Sequence, residues 1–182
     1  MSKIINIDSF LVHFFEDANR WFHVREMARL ARVNPTTASK YLIKLHKENL
    51  LIKKYEKGHL LFKANNENDF YKDAKVYFNI KLLRHSGLIE YLDKELHYPE
   101  AIVLFGSCSK GENDKNSDFD LFAVSNVKKE LDLGVFEKKI KARIQLFIKN
   151  KKEFINLQKE NKNLANGIIN GIVIKGYIEV FA

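Results

Sequence analysis

Two short groups of residues in this sequence have the types and spacing that phosphate and metal chemistry requires. Gly106 and Ser107 follow the apolar run 101–105, and Asp118 and Asp120 come ten residues later. A glycine permits a sharp turn after a strand, and Ser107 is placed to cap a short helix whose N–H groups would bind phosphate oxygens. Carboxylates two residues apart in a strand share a face, and Mg²⁺ prefers such oxygen ligands. We therefore predict a magnesium–phosphate site, with a polar turn and a chance Asp-Phe-Asp as the alternative.

The residues around these two groups complete a longer motif. Lys110 and Gly111 follow the first group, and Ser117 immediately precedes the first aspartate. Apolar segments lie on both sides, as expected for buried strands. Over about residues 98–150, the sequence resembles the minimal nucleotidyltransferases of the DNA polymerase beta-like superfamily.

This resemblance implies a fold, a reaction and a set of ligands. The fold would be a mixed β-sheet with helices on one side. The reaction would transfer a nucleoside monophosphate from a nucleoside triphosphate, ATP for example, to an acceptor, with release of pyrophosphate and with Mg²⁺ (or Mn²⁺) as cofactor. The residues that would bind the nucleotide are Gly106, Ser107, Lys110 and Ser117. Asp118 and Asp120 would be the catalytic residues and the metal ligands.

One departure from the family pattern concerns a third carboxylate, which active members carry on a later strand as general base. Here that strand corresponds to residues 142–148, which contain no acid. The side chains that could point inward are Arg143 and Gln145 or, on the opposite face, Ile144 and Leu146. The alternatives for supplying the missing group are Glu137, Glu153 and a residue of a partner. Nucleotide binding is therefore better supported than transfer.

The N-terminal part predicts three helices and a β-hairpin. Residues 7–18 form the first helix, and the second carries an apolar stripe of Val24, Met27, Ala28 and Ala31. The third begins at Pro35, and its core-facing residues are Ala38, Leu42 and Leu45. Two alternating segments around residues 56–58 then predict the hairpin, with a basic tip. Over residues 7–64 this layout resembles a winged helix-turn-helix domain.

The charge distribution favours nucleic-acid binding by this domain. Residues 20–63 contain eleven Lys and Arg against three Asp and Glu, whereas the rest of the chain is neutral, so the net charge of +8 lies in this segment. By the resemblance, the groove-contacting residues would be Thr36, Thr37, Ser39, Lys40 and Lys44. The residues contacting the DNA backbone would be Lys53, Lys54 and Lys57. A solvated lysine-rich face, a dimer interface and a protein-docking module are the alternatives.

The sequence as a whole predicts an α+β protein in three parts. These are a winged helix-turn-helix domain (three helices plus a β-hairpin wing) at 1–66, a helical connector at 67–97 with a bend near Gly87, and a nucleotidyltransferase domain with C-terminal helices at 98–182. Phe70, Ala74, Tyr77, Phe78, Leu82 and Leu83 would form the apolar stripe of the connector. The composition, 46% hydrophobic and 30% charged, is that of a folded protein. No apolar run is long enough to span a membrane or to act as a secretory signal.

Two functions follow from these patterns. One is an active nucleotidyltransferase that modifies a protein or nucleic-acid acceptor, as related toxin–antitoxin enzymes modify a partner protein. The other is a DNA-binding regulator whose degenerate transferase domain senses a nucleotide, and a scaffold within a complex is a weaker third option. A homodimer would suit a palindromic DNA site. The lone Cys108 fits a cytoplasmic protein and is expected to be an ordinary thiol.

Overall fold

A computed structural model describes residues 10–179 of the 182-residue chain, which have a mixed α+β architecture with two β-sheets. The chain divides into two compact units, Met1–Lys75 and Val76–Ala182. Within the described residues, no helix combines the length and apolar character needed to cross a membrane.

The first unit contains three helices, a three-stranded sheet and the start of a fourth helix. Along the chain these are α1 (Leu11–Glu16), β1 (Phe22–His23), α2 (Val24–Leu30), α3 (Pro35–Lys47), β2 (Leu51–Glu56), β3 (His59–Ala64) and α4 (Asp69–Ser86). The strands are antiparallel in the order β1-β3-β2. The predicted helix at 7–18 corresponds to α1, and residues 7–9 lie outside the described part.

Helix α3 has the start and the buried face that its sequence predicts. The Asn34 side chain accepts a hydrogen bond from the Thr37 N–H at 2.7 Å, and Pro35 occupies the first helical position, where no N–H is needed. The predicted core residues Ala38, Leu42 and Leu45 are all buried. The outward face of α3 is thereby left to polar and basic side chains.

The predicted hairpin is confirmed, and it has one more neighbour than expected. Lys57 and Gly58 connect β2 to β3 with φ values of 49° and 78°, the left-handed backbone of a tight two-residue turn. Phe22 pairs with Phe62, which adds β1 as a third strand. Two residues are too few for an alternating pattern, so β1 could not be predicted from its residues.

The predicted bend in the connector is confirmed, whereas its predicted apolar face is confirmed only in part. Gly87, with φ 82°, separates α4 from α5 (Leu88–Glu95). The buried positions of α4 are Tyr71, Lys75, Asn79, Leu83 and Ser86, while Phe70 and Tyr77 are 77% and 63% exposed. Three of these five buried residues are polar and only Leu83 belongs to the predicted stripe, so hydrophobic periodicity identified little of the buried face.

The second unit is built around a four-stranded sheet. After α5 come β4 (Ala101–Phe105), α6 (Ser107–Lys110), β5 (Phe119–Val124), α7 (Gly134–Ile140), β6 (Ile144–Lys149), α8 (Lys151–Glu160), α9 (Lys162–Ile169) and β7 (Ile172–Gly176). The strand order is β6-β5-β4-β7. β5 and β6 are parallel, and the other two pairs are antiparallel.

Helices cover both faces of this sheet, so the predicted arrangement with helices on one side is wrong. All five residues of β4 are buried, and its alternate side chains enter two separate apolar clusters. Residues of α5 and α7 complete the cluster around Ile102 and Leu104. Residues of α8 and α9 complete the cluster around Val103 and Phe105. A strand that is apolar on both faces must be covered on both.

The C-terminal helices predicted after Lys151 are α8 and α9. Asn150 and Glu153 form a capping box at the start of α8. The apolar segment that follows contributes an edge strand, because β7 pairs with β4. Val180 and Phe181, which come after this strand in the sequence, lie outside the described residues.

Candidate active site

The turn between β4 and α6 has a backbone conformation that requires glycine. Gly106 has φ 71° and ψ −153°, a region that side chains with a Cβ essentially never occupy. It is the N-cap of α6, and Ser107 is the first helical residue. The prediction that Ser107 caps this helix is therefore wrong, since no side chain caps it. The Ser109 hydroxyl donates to the Gly106 carbonyl at 2.8 Å and ties the turn together.

Asp120 lies directly against this glycine. It pairs with Phe105 across the antiparallel β4–β5 ladder, one residue before the turn. A Cβ on Gly106 would overlap the Asp120 carboxylate oxygen Oδ2 and lie 3.2 Å from its Cγ. Because Gly106 has no side chain, the Asp120 carboxylate can lie directly beside the backbone of the turn.

Asp118 and Asp120 are close enough to influence each other. Burial raises the pKa of Asp120, and the negative charge of Asp118 raises it further. Asp118 immediately precedes β5, and both carboxylates are half-buried, whereas Phe119 and Leu121 between and after them are buried in the core. The predicted alternation is confirmed. Two adjacent carboxylates, one of them partly desolvated, are arranged to accept a cation.

A tight turn before β5 uses the side chain of Ser117. Its hydroxyl accepts a hydrogen bond from the Asp114 N–H at 2.9 Å and lies 3.3 Å from Asp114 Oδ1. The Asn116 N–H donates to the same carboxylate at 2.8 Å. Ser117 therefore shapes the turn that leads into Asp118. Lys110, at the end of α6, is exposed.

Asn79, which the sequence analysis did not identify, makes hydrogen bonds to α6 and to the segment after it. Asn79 is 1% exposed, and its amide Nδ2 donates to the Cys108 carbonyl of α6 and to Asn113 Oδ1, both at 2.9 Å. Cys108 is itself buried, and its Sγ contacts the Asp118 carbonyl at 3.3 Å. A lone asparagine in a long helix has no distinctive sequence pattern, so only the tertiary contacts identify its role.

The β5–β6 register settles which residue of β6 faces the carboxylates. Asp120 pairs in parallel with Gln145, and paired residues in a sheet point to the same face. Gln145 thus lies beside Asp120 on the same face of the sheet, while Ile144 and Leu146 point to the opposite face.

The two acidic alternatives have other partners. Glu137 accepts from the Ile144 N–H at 2.9 Å, and Glu153 caps α8 and pairs with Lys128. Among residues 10–179, no three His, Cys, Asp or Glu side chains are grouped as a metal site would require. The carboxylates available at the site are therefore Asp118 and Asp120.

The basic surface predicted for DNA lies in the first unit, on α3 and the β2–β3 hairpin. Its exposed members are Thr36, Thr37, Lys40, Lys44, Lys53 and Lys57, whereas Ser39 and Lys54 are half-buried. Lys44 pairs with Glu48 at 3.7 Å. Lys54 pairs with Glu56 at 2.6 Å and lies 4.6 Å from the centre of the Trp21 ring. Within the described chain, the ammonium groups of Lys40, Lys53 and Lys57 form no ion pair.

Comparison with known proteins agrees with the geometry of the second unit. The family model for polymerase beta, nucleotidyltransferase, matches residues 87–177, half of the chain. Neither the curated proteins nor the solved structures give a match. Enzymes of this family act on nucleotides and typically use divalent metals. The matched region contains the glycine turn, both aspartates and the whole four-stranded sheet, and the chain belongs to the polymerase beta nucleotidyltransferase family.

Proposed function

We propose that the second unit binds a nucleoside triphosphate with Mg²⁺ and transfers its nucleoside monophosphate to a protein or nucleic-acid acceptor. The observation that carries this proposal is the position of Asp120 against Gly106. Backbone that can hold phosphates and carboxylates that can hold a cation are thereby in direct contact. A chance Asp-Phe-Asp would not require a glycine at the neighbouring turn.

The residues present fit a divalent metal. Asp118 and Asp120 offer oxygen ligands only, which is the chemistry that Mg²⁺ selects, and a bound cation would offset their mutual repulsion. The metal would neutralise charge on the triphosphate when bound. Gly106, Ser107 and the following N–H groups of α6 would hold the phosphates, and Lys110 would add a positive charge beside them. Ser117 would keep Asp118 in place and stay available to the nucleotide.

The first unit supports a second part of the proposal, namely that it is a winged helix that binds DNA. Three helices and an antiparallel sheet ending in a hairpin follow one another in the order that such a domain needs. α3 would enter the major groove with Thr36, Thr37, Ser39, Lys40 and Lys44. The hairpin would contact phosphates through Lys53, Lys54 and Lys57. The segment's charge of +8 suits this role.

A specific observation favours a second function for the transferase domain. Gln145 stands beside Asp120, where active relatives would carry a general base, and an amide cannot accept the proton of an attacking hydroxyl. A domain with this residue would bind the nucleotide and release it unchanged. In that case the protein would be a DNA-binding regulator that senses a nucleotide.

Labelled nucleotides separate the two functions. Purified protein is incubated with Mg²⁺, each α-labelled nucleoside triphosphate and an extract of its own cells as acceptor source. The Asp118→Asn/Asp120→Asn variant, which keeps size and hydrogen bonding but loses both charges, is the matched control. Label on an acceptor with the wild type alone would establish the transferase. Nucleotide binding without transfer would favour the regulator, and failure to bind any nucleotide would refute both.

Restoring the missing carboxylate is the sharper test of the role of residue 145. If the Gln145 amide limits the reaction, Gln145→Glu should raise transfer by about 100-fold, the lower end of what a positioned general base contributes. Gln145→Leu, which provides neither proton acceptor nor amide, is the control. Equal transfer by both variants and the wild type would show that another group acts as the base.

A further inference from the structure

A cavity of about 330 Å³ opens next to the proposed triphosphate site. Gly106 and Lys110 form one end of it, and the ring of Phe105 forms part of its floor. Its remaining wall is one side of helix α9, beginning at Asn163, together with Asn170 directly after the helix. This volume is within the range of small-ligand sites.

The wall beside α9 consists of three amide side chains, a glycine and Leu164. Asn163, Asn166, Gly167 and Asn170 are spaced three, four and seven residues apart, which places them on one side of the helix. The opposite side of the helix is buried at Ala165 and Ile168, and Ile168 belongs to the apolar cluster around Val103 and Phe105. No charged residue belongs to this amide stripe, although 30% of the chain is charged. The cavity therefore has a basic end at Lys110 and a neutral wall beyond it.

Two of the three amides in this stripe, those of Asn163 and Asn166, are available to a ligand. Asn170 Nδ2 donates to the Asn166 carbonyl at 2.8 Å. Between residues 10 and 179, the side chains of Asn163 and Asn166 make no hydrogen bond, and both are exposed. Each amide offers a donor and an acceptor side by side, the pattern that matches the edge of a nucleobase or a ribose hydroxyl.

Gly167 is not explained by the packing of the protein itself. A glycine inside a helix costs about 0.5–1 kcal/mol relative to alanine. A Cβ at this position would lie 3.8 Å from the Phe105 ring, an ordinary contact, so the fold leaves room for a side chain. A side chain longer than that of alanine would extend into the cavity.

We propose that this cavity binds the nucleoside part of the triphosphate and selects the base, a proposal that rests on the function proposed above. The phosphates would lie at the Gly106 and Lys110 end, where the backbone and the charge are. The uncharged base and sugar would lie along the amide stripe, with Phe105 and Leu164 as apolar surface. A polynucleotide acceptor fits this wall less well, because its phosphates call for lysine and arginine rather than asparagine.

Calorimetric titration of the full-length protein tests the proposal, with Mg²⁺ and five probes: the four common ribonucleoside triphosphates and inorganic tripolyphosphate. We expect one triphosphate to bind the wild type at least about tenfold more tightly than tripolyphosphate, the difference that two hydrogen bonds provide. Asn163→Ala/Asn166→Ala and Gly167→Leu should reduce that difference to about twofold or less while leaving tripolyphosphate binding unchanged. Lys162→Ala, on the same helix outside the cavity, is the control and should alter neither affinity.

The outcomes distinguish this inference from the function on which it rests. A preference for one nucleotide that survives in both cavity variants would overturn the inference, as would equal binding of all five probes by the wild type. The double asparagine variant alters exposed side chains only, so it decides the matter if Gly167→Leu does not fold. Asp118→Asn/Asp120→Asn should lose tripolyphosphate and nucleotides alike. A wild type that binds none of the five would refute the nucleotide site itself, and the inference with it.

Discussion

The candidate active site and the basic surface of the first unit are built in different ways. At the active site, Asp120 stands against the backbone of Gly106, and a buried amide from Asn79 holds α6. On the basic surface, Lys40, Lys53 and similar side chains extend into solvent from a helix and a hairpin. A site made of backbone and buried contacts has one working geometry, whereas a charged surface acts through the sum of its charges. Substitutions should therefore have large effects at the first and graded effects at the second.

The largest expected effect is that of Gly106→Ala. The new side chain would overlap the Asp120 carboxylate, and its backbone conformation would cost about 1–3 kcal/mol. We expect nucleotide binding to fall by about tenfold or more, measured by calorimetry. Gly58→Ala in the hairpin is the matched control, since the φ of Gly58 is also positive but no atom lies within 4 Å of the added Cβ. It should destabilise by about 1–2 kcal/mol and leave nucleotide binding unchanged. Wild-type affinity in Gly106→Ala would contradict this account of the site.

Asn79→Ala should have the next largest effect. It removes a buried donor from the Cys108 carbonyl and from Asn113, which we expect to cost about 1–3 kcal/mol in the free energy of unfolding, measured with urea. Asn66→Ala removes an exposed 3.4 Å contact to Asn19 in the first unit and should change stability by less than about 0.5 kcal/mol. Equal losses in the free energy of unfolding from the two substitutions would show that burial does not make the Asn79 contact stronger.

Lysine substitutions test whether the basic surface acts through its unpaired charges. Lys53→Ala/Lys57→Ala should weaken DNA binding by roughly tenfold at low salt and reduce the salt slope of log K by about 2, one phosphate contact for each lysine. As the control, Lys129→Ala/Glu95→Ala removes an ion pair of the second unit and no net charge. It should leave the slope unchanged, as measured by fluorescence anisotropy on duplex DNA. An unchanged slope in Lys53→Ala/Lys57→Ala would refute contact between these lysines and the DNA backbone.

The smallest expected effect is a difference in pH dependence between two carboxylates. The pKa of Asp120 is raised by burial and by Asp118, so between the ordinary aspartate pKa and this raised pKa the folded state binds more protons than the unfolded state. Its contribution to stability therefore falls as pH rises through that window. The pKa of Glu56 is lowered by its hydrogen bond and charge pairing with Lys54, so its contribution is present above the ordinary glutamate pKa and is lost as pH falls.

Two amide substitutions measure these opposite signs in metal-free buffer. At pH 7, Asp120→Asn should raise the Tm and Glu56→Gln should lower it slightly. Both differences from the wild type should shrink towards pH 4 and below, as each wild-type carboxyl becomes protonated in the folded and unfolded states alike. Thermal unfolding at a series of pH values checks the trend. Mg²⁺ with nucleotide should then raise the Tm of the wild type more than that of Asp120→Asn. Parallel pH curves for the two variants would contradict the assignment.

Much of the fold could be predicted because the local signals agree with the tertiary structure. Helix α3 shows this: Asn34 caps it, Pro35 starts it, and its three apolar residues at helical spacing are buried. The hairpin at Lys57 and Gly58 is another case. The opposite case is α4, where Lys75 and Asn79 are buried and Phe70 is exposed. Hydrophobic periodicity fails wherever polar groups are buried through specific partners.

The sequence by itself determined the chemistry of the candidate site, because a glycine after a buried strand and two aspartates at period two depend only on neighbours in the chain. It also determined where the positive charge lies. Tertiary structure decided which residue of β6 faces Asp120, which helix face is buried and which side of the sheet is covered. It also brought the asparagines of α9 beside Gly106. These features depend on strand register and on contacts between residues far apart in sequence, and short-range patterns carry no information about either.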